Sequence, residues 1–265
     1  MKVLLTGDSQ IGAIKGAFDE RLKNGPSLPD ELDLDVRPFG VGQLMSTRFC
    51  NLAAGQVNIF RPSMRRQISS FPVSDIRTYG YCAPLHTMRL VRRPDWKTFA
   101  PVNLSSPSQA PVSTGMLRSL ILSDQRGNLL FIEMMKRVGL EVFVIEAPRP
   151  FRHHPVFTEG VSEKIALFVD EEYRRVMRAA LDRRSVTVVE VPRETYDSAG
   201  FTHEKYKTQD PQDFHHGNLA FGRLMLSAII DHLLLMREKA APAPLTHRTM
   251  RPNAALAAGG RGRAD

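Results

Sequence analysis

The first twelve residues, MKVLLTGDSQIG, constrain the fold of this chain more than any other stretch. Val3, Leu4 and Leu5 form a short apolar run that suits a strand buried on both faces. Gly7-Asp8-Ser9 then turns the chain, and from Ile11 onward apolar residues recur near helical spacing at Ile14, Ala17, Phe18 and Leu22. Asn24-Gly25-Pro26 stops that helix. Residues 32–39 alternate acidic and apolar side chains, as a second strand does, and end at Gly40-Val41-Gly42. A strand, a helix and a strand in that order predict a parallel sheet. The first turn also sets Ser9 at a strand-to-helix corner, in front of the helix's free N–H groups and positive dipole end. Such a corner suits a nucleophile, and equally a dinucleotide phosphate or a plain helix cap.

Spacing separates these readings. A dehydrogenase-type turn would need glycines in place of Ile11 and Ala13, and neither is present. The G-x-G-x-x-G pattern and the G-x-x-x-x-G-K of a P-loop are absent as well. No nucleotide or other cofactor is therefore expected.

Regular rhythm breaks at residues 46–114. Prolines are frequent there, β-like runs at 57–60 and 88–91 are short, and the region holds the single tryptophan, Trp96. It reads as an irregular insertion or lid, with residues 101–114 as exposed loop. The α/β rhythm then returns. Residues 115–138 are helical in pattern with a break at Gly127, and 140–147 (LEVFVIEA) form a strong strand closed by Pro148-Arg149-Pro150. Residues 162–184 form an amphipathic helix, 186–191 another strand, and 217–239 a final apolar helix. The chain is thus expected to hold one α/β domain over residues 1–239, followed by a disordered, basic, low-complexity tail at 240–265.

Composition narrows the class. With 265 residues, 42% hydrophobic and 24% charged, the chain has enough material for a full core. No apolar run near the ~20 residues needed to cross a bilayer is evident, so no membrane span is expected. Gly7-Asp8-Ser9 interrupts the first apolar run too early for a signal peptide. Two cysteines, Cys50 and Cys82, form neither a disulfide framework nor a four-ligand zinc site, which leads to the expectation of a cytoplasmic protein with reduced thiols. Of the net charge of +8, about three units lie in the tail, and the arginine pairs elsewhere have no aromatic interleaving. Nucleic acid is therefore not an expected partner.

The second informative stretch is DPQDFHHGN, residues 210–218, just before the last helix. A histidine that deprotonates a serine needs a carboxylate to fix its tautomer and balance its charge, and Asp213-x-x-His216 supplies both from one loop. Asp213 also suits a helix cap with His215 and His216 in solvent. A metal site of Asp213, His215 and His216, with His153-His154 as candidate partners, is a third reading, but no defined ligand cluster completes it. No metal is expected.

Together, the Gly7-Asp8-Ser9 turn at one end and Asp213-x-x-His216 before the last helix resemble the SGNH/GDSL hydrolase family. The resemblance covers about the first 45 residues and roughly the last 125 before the tail, not the middle. It implies a three-layer α/β/α sandwich with a mostly parallel, flavodoxin-like sheet. It further implies Ser9 as nucleophile, His216 as general base and acid, and Asp213 as the orienting carboxylate. In the family a glycine N–H after the second strand joins the serine N–H in an oxyanion hole, and Gly40 or Gly42 fits that role beside Ser9. Two departures stand out. Gln10 occupies the position where family members commonly carry leucine, and the family's Gly-x-Asn-Asp turn is missing, since Asn51, Asn58 and Asn103 lie in no such motif. Losing one oxyanion donor costs ~10²–10³ in rate, so another group replaces the asparagine, or the enzyme is specialised, or catalysis is lost.

The expected activity is hydrolysis of an ester through an acyl-serine, with small O-acyl groups such as acetyl on carbohydrate suggested by the resemblance alone. Competition by a sugar hydroxyl would make the protein an O-acyltransferase, and a non-catalytic binding module on the same fold is the reading from another class. Arg149 and Arg152 follow a central-looking strand on the edge where open α/β sheets bind ligands, and are expected to contact an anionic substrate group. Oligomeric state is left open by the sequence.

Overall fold

Lys2–Gly7 form β1, the strand on which the main sheet is built, and Val3 through Gly7 are all buried. The computed structural model describes residues 1–240. After β1 come α1 (Ile11–Asn24), β2 (Asp33–Pro38), the one-turn helix α2 (Gly42–Met45), β3 (Cys50–Ala53), β4 (Gln56–Ile59), α3 (Pro62–Arg65) and β5 (Ser70–Phe71). The chain continues through β6 (Thr78–Cys82), α4 (Met88–Val91), β7 (Phe99–Pro101), β8 (Ala110–Val112), α5 (Thr114–Asp124) and α6 (Arg126–Arg137). It closes with β9 (Glu141–Ile145), α7 (Pro155–Thr158), α8 (Glu163–Asp182), β10 (Val188–Val189) and α9 (Leu219–Ala240).

The main sheet runs β2-β1-β6-β9-β10 and every pairing in it is parallel. Taken in chain order, its strands lie 2-1-3-4-5, the flavodoxin-like arrangement, and the order reverses between β1 and β6. Strand alternation divides the side chains between two layers. Val3, Leu5, Phe143 and Ile145 face α1 and α9, where Ile14, Phe18, Phe221, Met225 and Ile229 meet them. Leu4, Tyr79, Tyr81, Val142 and Val144 face the opposite layer, built from α5, α6 and α8 with Ile121, Phe131, Ile132, Val169 and Tyr173. The expected three-layer α/β/α sandwich is what the chain forms.

Residues 46–114 are more ordered, and more central, than their sequence suggests. Thr78–Cys82 is no part of an insertion: it is the middle strand β6, buried at all five positions. A strand covered on both faces shows no alternation, and Thr-Tyr-Gly-Tyr-Cys is too short and too polar to announce itself as an apolar run. The rest of the region contributes a three-stranded antiparallel sheet, β3-β4-β5, and the small parallel pair β7-β8. The antiparallel sheet is fastened to α6 by an aromatic cluster in which Phe131 lies 5.3 Å from Phe49, 5.2 Å from Phe71 and 5.8 Å from Phe39, centroid to centroid.

Smaller differences have local causes. The break expected at Gly127 falls at Gln125, which ends α5 and precedes α6. The strand expected at 186–191 pairs only at Val188–Val189, on the sheet's edge. Helix α9 is long and apolar enough to cross a membrane, contrary to the expectation that no such run exists. Its Phe221, Met225, Ile229 and Leu233 are nevertheless buried in the layer shared with α1. Of the tail expected at 240–265, residues 241–265 lie outside the described residues.

Helices α1 and α9 approach so closely that Gly222 rests on the backbone of Ala13: a Cβ there would lie 2.0 Å from the Ala13 carbonyl oxygen. Gly222→Ala therefore forces the helices apart and should cost about 1–3 kcal/mol. Gly12→Ala, where nothing lies within 4 Å, should not lower stability and should raise it by up to about 1 kcal/mol as a helical alanine. Thermal unfolding of the two variants checks this, and equal midpoints would contradict the packing described.

Candidate active site

Two backbone constraints hold the Ser9 corner. Gly7 packs against β6 so tightly that a Cβ would lie 2.0 Å from the Cys82 carbonyl oxygen, and the next N–H, of Asp8, donates to that same oxygen at 2.9 Å. On the other side the Gly7 carbonyl accepts the N–H groups of Phe39 at 2.9 Å and Gly40 at 3.1 Å. Asp8 is fully buried, and its Oδ1 accepts the N–H of Gln10 at 3.0 Å, a local turn that leads into α1. Ser9, between them, is exposed. Among the described residues its N–H donates to no group.

From the far end of the chain, the 207–218 loop brings its histidine to this corner. The Ser9 hydroxyl donates to His216 Nε2 at 2.8 Å, and His216 Nδ1 donates to Asp213 Oδ2 at 2.6 Å. Asp213 is held in turn by the backbone N–H groups of His215 and His216, both 3.2 Å from its Oδ1. Burial raises the Asp213 pKa, but the hydrogen bonds from the His215 backbone and the His216 ring outweigh it and leave the carboxyl below its usual range. A lasting carboxylate on Nδ1 fixes the His216 tautomer that presents a bare Nε2 to the serine.

The neighbouring histidine is arranged differently. His215 stacks on His86 with centroids 5.7 Å apart and planes 13° from parallel, and its Nδ1 stays 3.6 Å from Asp213, beyond a hydrogen bond. Burial, then the repulsion a proton on His215 would meet from protons on the neighbouring His216 and His86 rings, pushes its pKa down to about 4, so its imidazole is neutral near pH 7. The sequence alone leaves the choice between the two histidines open, and the geometry distinguishes them.

Asp213, His215 and His216 place one ligand atom each within 4.8 Å of one another, the set considered for a metal. Both ring nitrogens of His216 are already engaged, by Ser9 and by Asp213. His153 pairs with Glu204 at 2.9 Å, and His154 is buried with its Nδ1 accepting the Val156 N–H at 3.1 Å to cap α7. Neither joins the other three, so the donor set does not fit a closed metal site.

The two glycines proposed as oxyanion donors part ways. Gly40 is excluded because its N–H is the one given to the Gly7 carbonyl. Gly42 opens α2 with an N–H that donates to no group among the described residues, and a Cβ on it would lie 2.9 Å from Asp8 Oδ2. Side-chain bulk is therefore barred at Gly42. Arg89 lies beside it, its Nη1 3.3 Å from that same Cβ position, while its Nη2 and Nε bond Asp124 at 3.0 and 3.2–3.3 Å.

Arg149 and Arg152 are not brought to Ser9. The Arg149 guanidinium bonds Asp170 at 3.3 Å and Glu171 at 3.1 Å and lies over the Tyr196 ring. Arg152 bonds Glu163 at 2.9 Å and Asp197 at 3.0 Å and lies over Phe201. The acidic face of α8 has claimed both, and the expectation of a substrate anion there is revised: their anions are internal.

Two further residues stand at the site: Gln10, which the sequence marks only as a departure from the family's leucine, and His86, which the sequence reading does not single out. His86 sits in the loop after β6, at the sheet's reversal point, with Nδ1 3.0 Å from Asp8 Oδ2 and Nε2 3.1 Å from Gln10 Nε2. It was hidden because β6 itself was hidden. The available signal was the Ala83-Pro84 punctuation after two tyrosines, which closes a strand and places a histidine four residues past its end.

No family model matches this chain, and no curated protein does. Solved structures do. An acetyl xylan esterase is 10% identical, with 88% of this chain and 100% of the other covered at a TM-score of 0.46. A GDSL-like lipase from Bacteroides thetaiotaomicron is 12% identical over 91% of this chain and 89% of its own, at a TM-score of 0.46. An aryl esterase from M. smegmatis is 12% identical over 88% and 98%, at a TM-score of 0.42.

Burial, then the nearby charge of Arg92, pushes His154 down to about 4, as burial does His215. Both rings are neutral in the fold, whereas in the unfolded chain they take a proton below about pH 6.5. Their contribution is therefore full above that pH and is lost progressively as the pH falls from about 6.5 to 4. Urea midpoints measured across that window should fall for the wild type. The stability slope of His154→Gln should be shallower by up to about one proton. Parallel curves for the two proteins would contradict a neutral, capping His154.

Proposed function

We propose that the protein is a serine ester hydrolase of the SGNH type, with Ser9, His216 and Asp213 as its catalytic residues. The observation that carries this reading is the hydrogen-bonded chain from the exposed Ser9 hydroxyl through His216 to Asp213, 2.8 and 2.6 Å in its two links. Its members come from opposite ends of the sequence, and a helix cap needs none of that convergence. The solvent-facing serine, the free Ser9 N–H and the placement of the turn at the reversal of strand order agree with it.

In this reading Ser9 Oγ attacks an ester carbonyl as its proton passes to His216 Nε2, and Asp213 balances the charge on the imidazolium. The N–H groups of Ser9 and Gly42 receive the developing oxyanion, and the partly free Arg89 Nη1 adds positive charge beside Gly42. His216 returns the proton to the departing alcohol. A water, activated by the same histidine, then releases the acid and regenerates Ser9. Small O-acyl groups, acetyl on a carbohydrate in particular, are the substrates we assign first. The acyl-serine is common to hydrolysis and to transfer, so an acceptor hydroxyl in place of water gives an O-acyltransferase on the same residues.

Ser9→Ala and His216→Ala should each lower nitrophenyl acetate hydrolysis by ~10⁴-fold or more, and His215→Ala by far less. A fluorophosphonate should label the native protein at Ser9, read by peptide mass. Full activity in Ser9→Ala would remove the nucleophile assignment, and an unlabelled, inactive wild type would favour a binding module.

A further inference from the structure

The Ser9 corner holds a second set of polar groups that the acyl-transfer steps leave unused. Asp8, Gln10 and His86 are 0%, 3% and 6% exposed. The ring of His86 donates from Nδ1 to Asp8 Oδ2 at 3.0 Å, which leaves Nε2 as an acceptor for the Gln10 amide at 3.1 Å. The other amide hydrogen of Gln10 goes to the backbone carbonyl of His215 at 3.3 Å. Two acceptors fix the orientation of that amide, since the reverse would set its oxygen against the His215 carbonyl. Gln10 Oε1 is left buried without a partner. An orphaned acceptor is tolerated where the side chain is held for its two donors.

Among the described residues, two hydrogen bonds join the Ser9 turn to the His216 loop, and they differ in chemistry. One is the Ser9 hydroxyl to His216 Nε2, the other the Gln10 amide to the His215 carbonyl. Once Ser9 is acylated it has no hydroxyl proton, so the first bond is gone at the stage when His216 must activate water. The second does not involve the reacting atoms and survives.

We propose that Gln10, itself oriented by His86 and Asp8, is a positioning residue that holds the His216 loop in place during deacylation. The proposal rests on the Ser9–His216–Asp213 reading above. In that step water forms the new C–O bond and gives its proton to His216 Nε2. The tetrahedral intermediate then collapses with cleavage of the bond to Ser9 Oγ, and His216 returns the proton to that oxygen. Acylation begins with the Ser9–His216 bond intact and depends on Gln10 less. The position where the family commonly carries leucine therefore has a specific task in this chain.

Gln10→Leu removes both donors, and Gln10→Glu removes them while keeping the shape. In each folded variant the deacylation rate should fall ~10²-fold, the scale of a misplaced catalytic group. On nitrophenyl acetate this appears as a burst near one equivalent of nitrophenol followed by a slow steady state. Both kcat and KM drop together, while kcat/KM, which reports acylation, stays near the wild-type value. A general loss of structure would instead lower kcat/KM and the burst amplitude. Equal falls in kcat and kcat/KM, or no change in either, in folded protein overturn the proposal. If the wild type neither releases nitrophenol nor takes a fluorophosphonate at Ser9, the esterase reading fails first. The brace is then decided by the downfield proton resonance of the His216 Nδ1–H: its loss or broadening in Gln10→Leu supports it, and an unchanged signal overturns it.

Discussion

The structure depends on the contact between the Gly7-Asp8 backbone and β6. The Cys82 carbonyl accepts the Asp8 N–H at 2.9 Å, and Gly7 lies where a Cβ would be 2.0 Å from the same oxygen. This hydrogen bond carries the parallel pairing of β1 and β6 one residue past the end of the ladder. The chain thereby turns at a fixed point on the sheet's edge. Ser9 and Gln10 emerge with opposite surroundings, one exposed and the other buried. The same contact seats β6, and with it His86, against Asp8. A side chain at position 7 would separate the two strands and with them the two halves of the site.

Electrostatics at the site follow from how each charge is satisfied. Asp213 keeps its charge because backbone N–H groups and an imidazole surround it, and this makes it an effective partner for His216. His215, a residue away, is kept neutral mainly by burial, and its carbonyl accepts the Gln10 amide. The buried Asp8 is matched by the Gln10 N–H and the His86 ring. Elsewhere, Arg174 is completely buried between Asp170 and Glu146 and bonds the carbonyls of Ala147 and Pro148, tying α8 to the exit of β9. Removing one member of such a set leaves an uncompensated charge, so the group is kept intact rather than offered to ligands. That is consistent with Arg149, which shares Asp170, being engaged by α8 after the exit of β9.

Where the sequence resemblance leads one to expect a Gly-x-Asn-Asp turn, the chain has a loop of different chemistry. The loop after β6 carries Ala83-Pro84-Leu85-His86, and its histidine reaches inward to Asp8 and Gln10. Arg89, on α4 just beyond, brings a guanidinium to Gly42. The middle of the chain, far from being a lid laid over a finished domain, therefore supplies both a central strand and the residues that surround the Ser9 turn.

The sequence by itself determined the local features: the buried strand β1, the turn at Gly7-Asp8-Ser9, helix α1, and a carboxylate-histidine pair three residues apart before the last helix. Each is specified by neighbours within a few positions, through apolar periodicity, turn chemistry and side-chain reach. The tertiary structure decided everything that depends on which distant segments meet. It made Thr78–Cys82 a central strand, because burial on both faces erases the alternation by which a strand is read. It also put His216, rather than His215, on Ser9, withdrew Gly40 by pairing its N–H with Gly7, and committed Arg149 and Arg152 to the acids of α8 and the Asp197 loop. These outcomes rest on hydrogen bonds and ion pairs between residues tens to hundreds of positions apart, and local pattern carries no information about such partners.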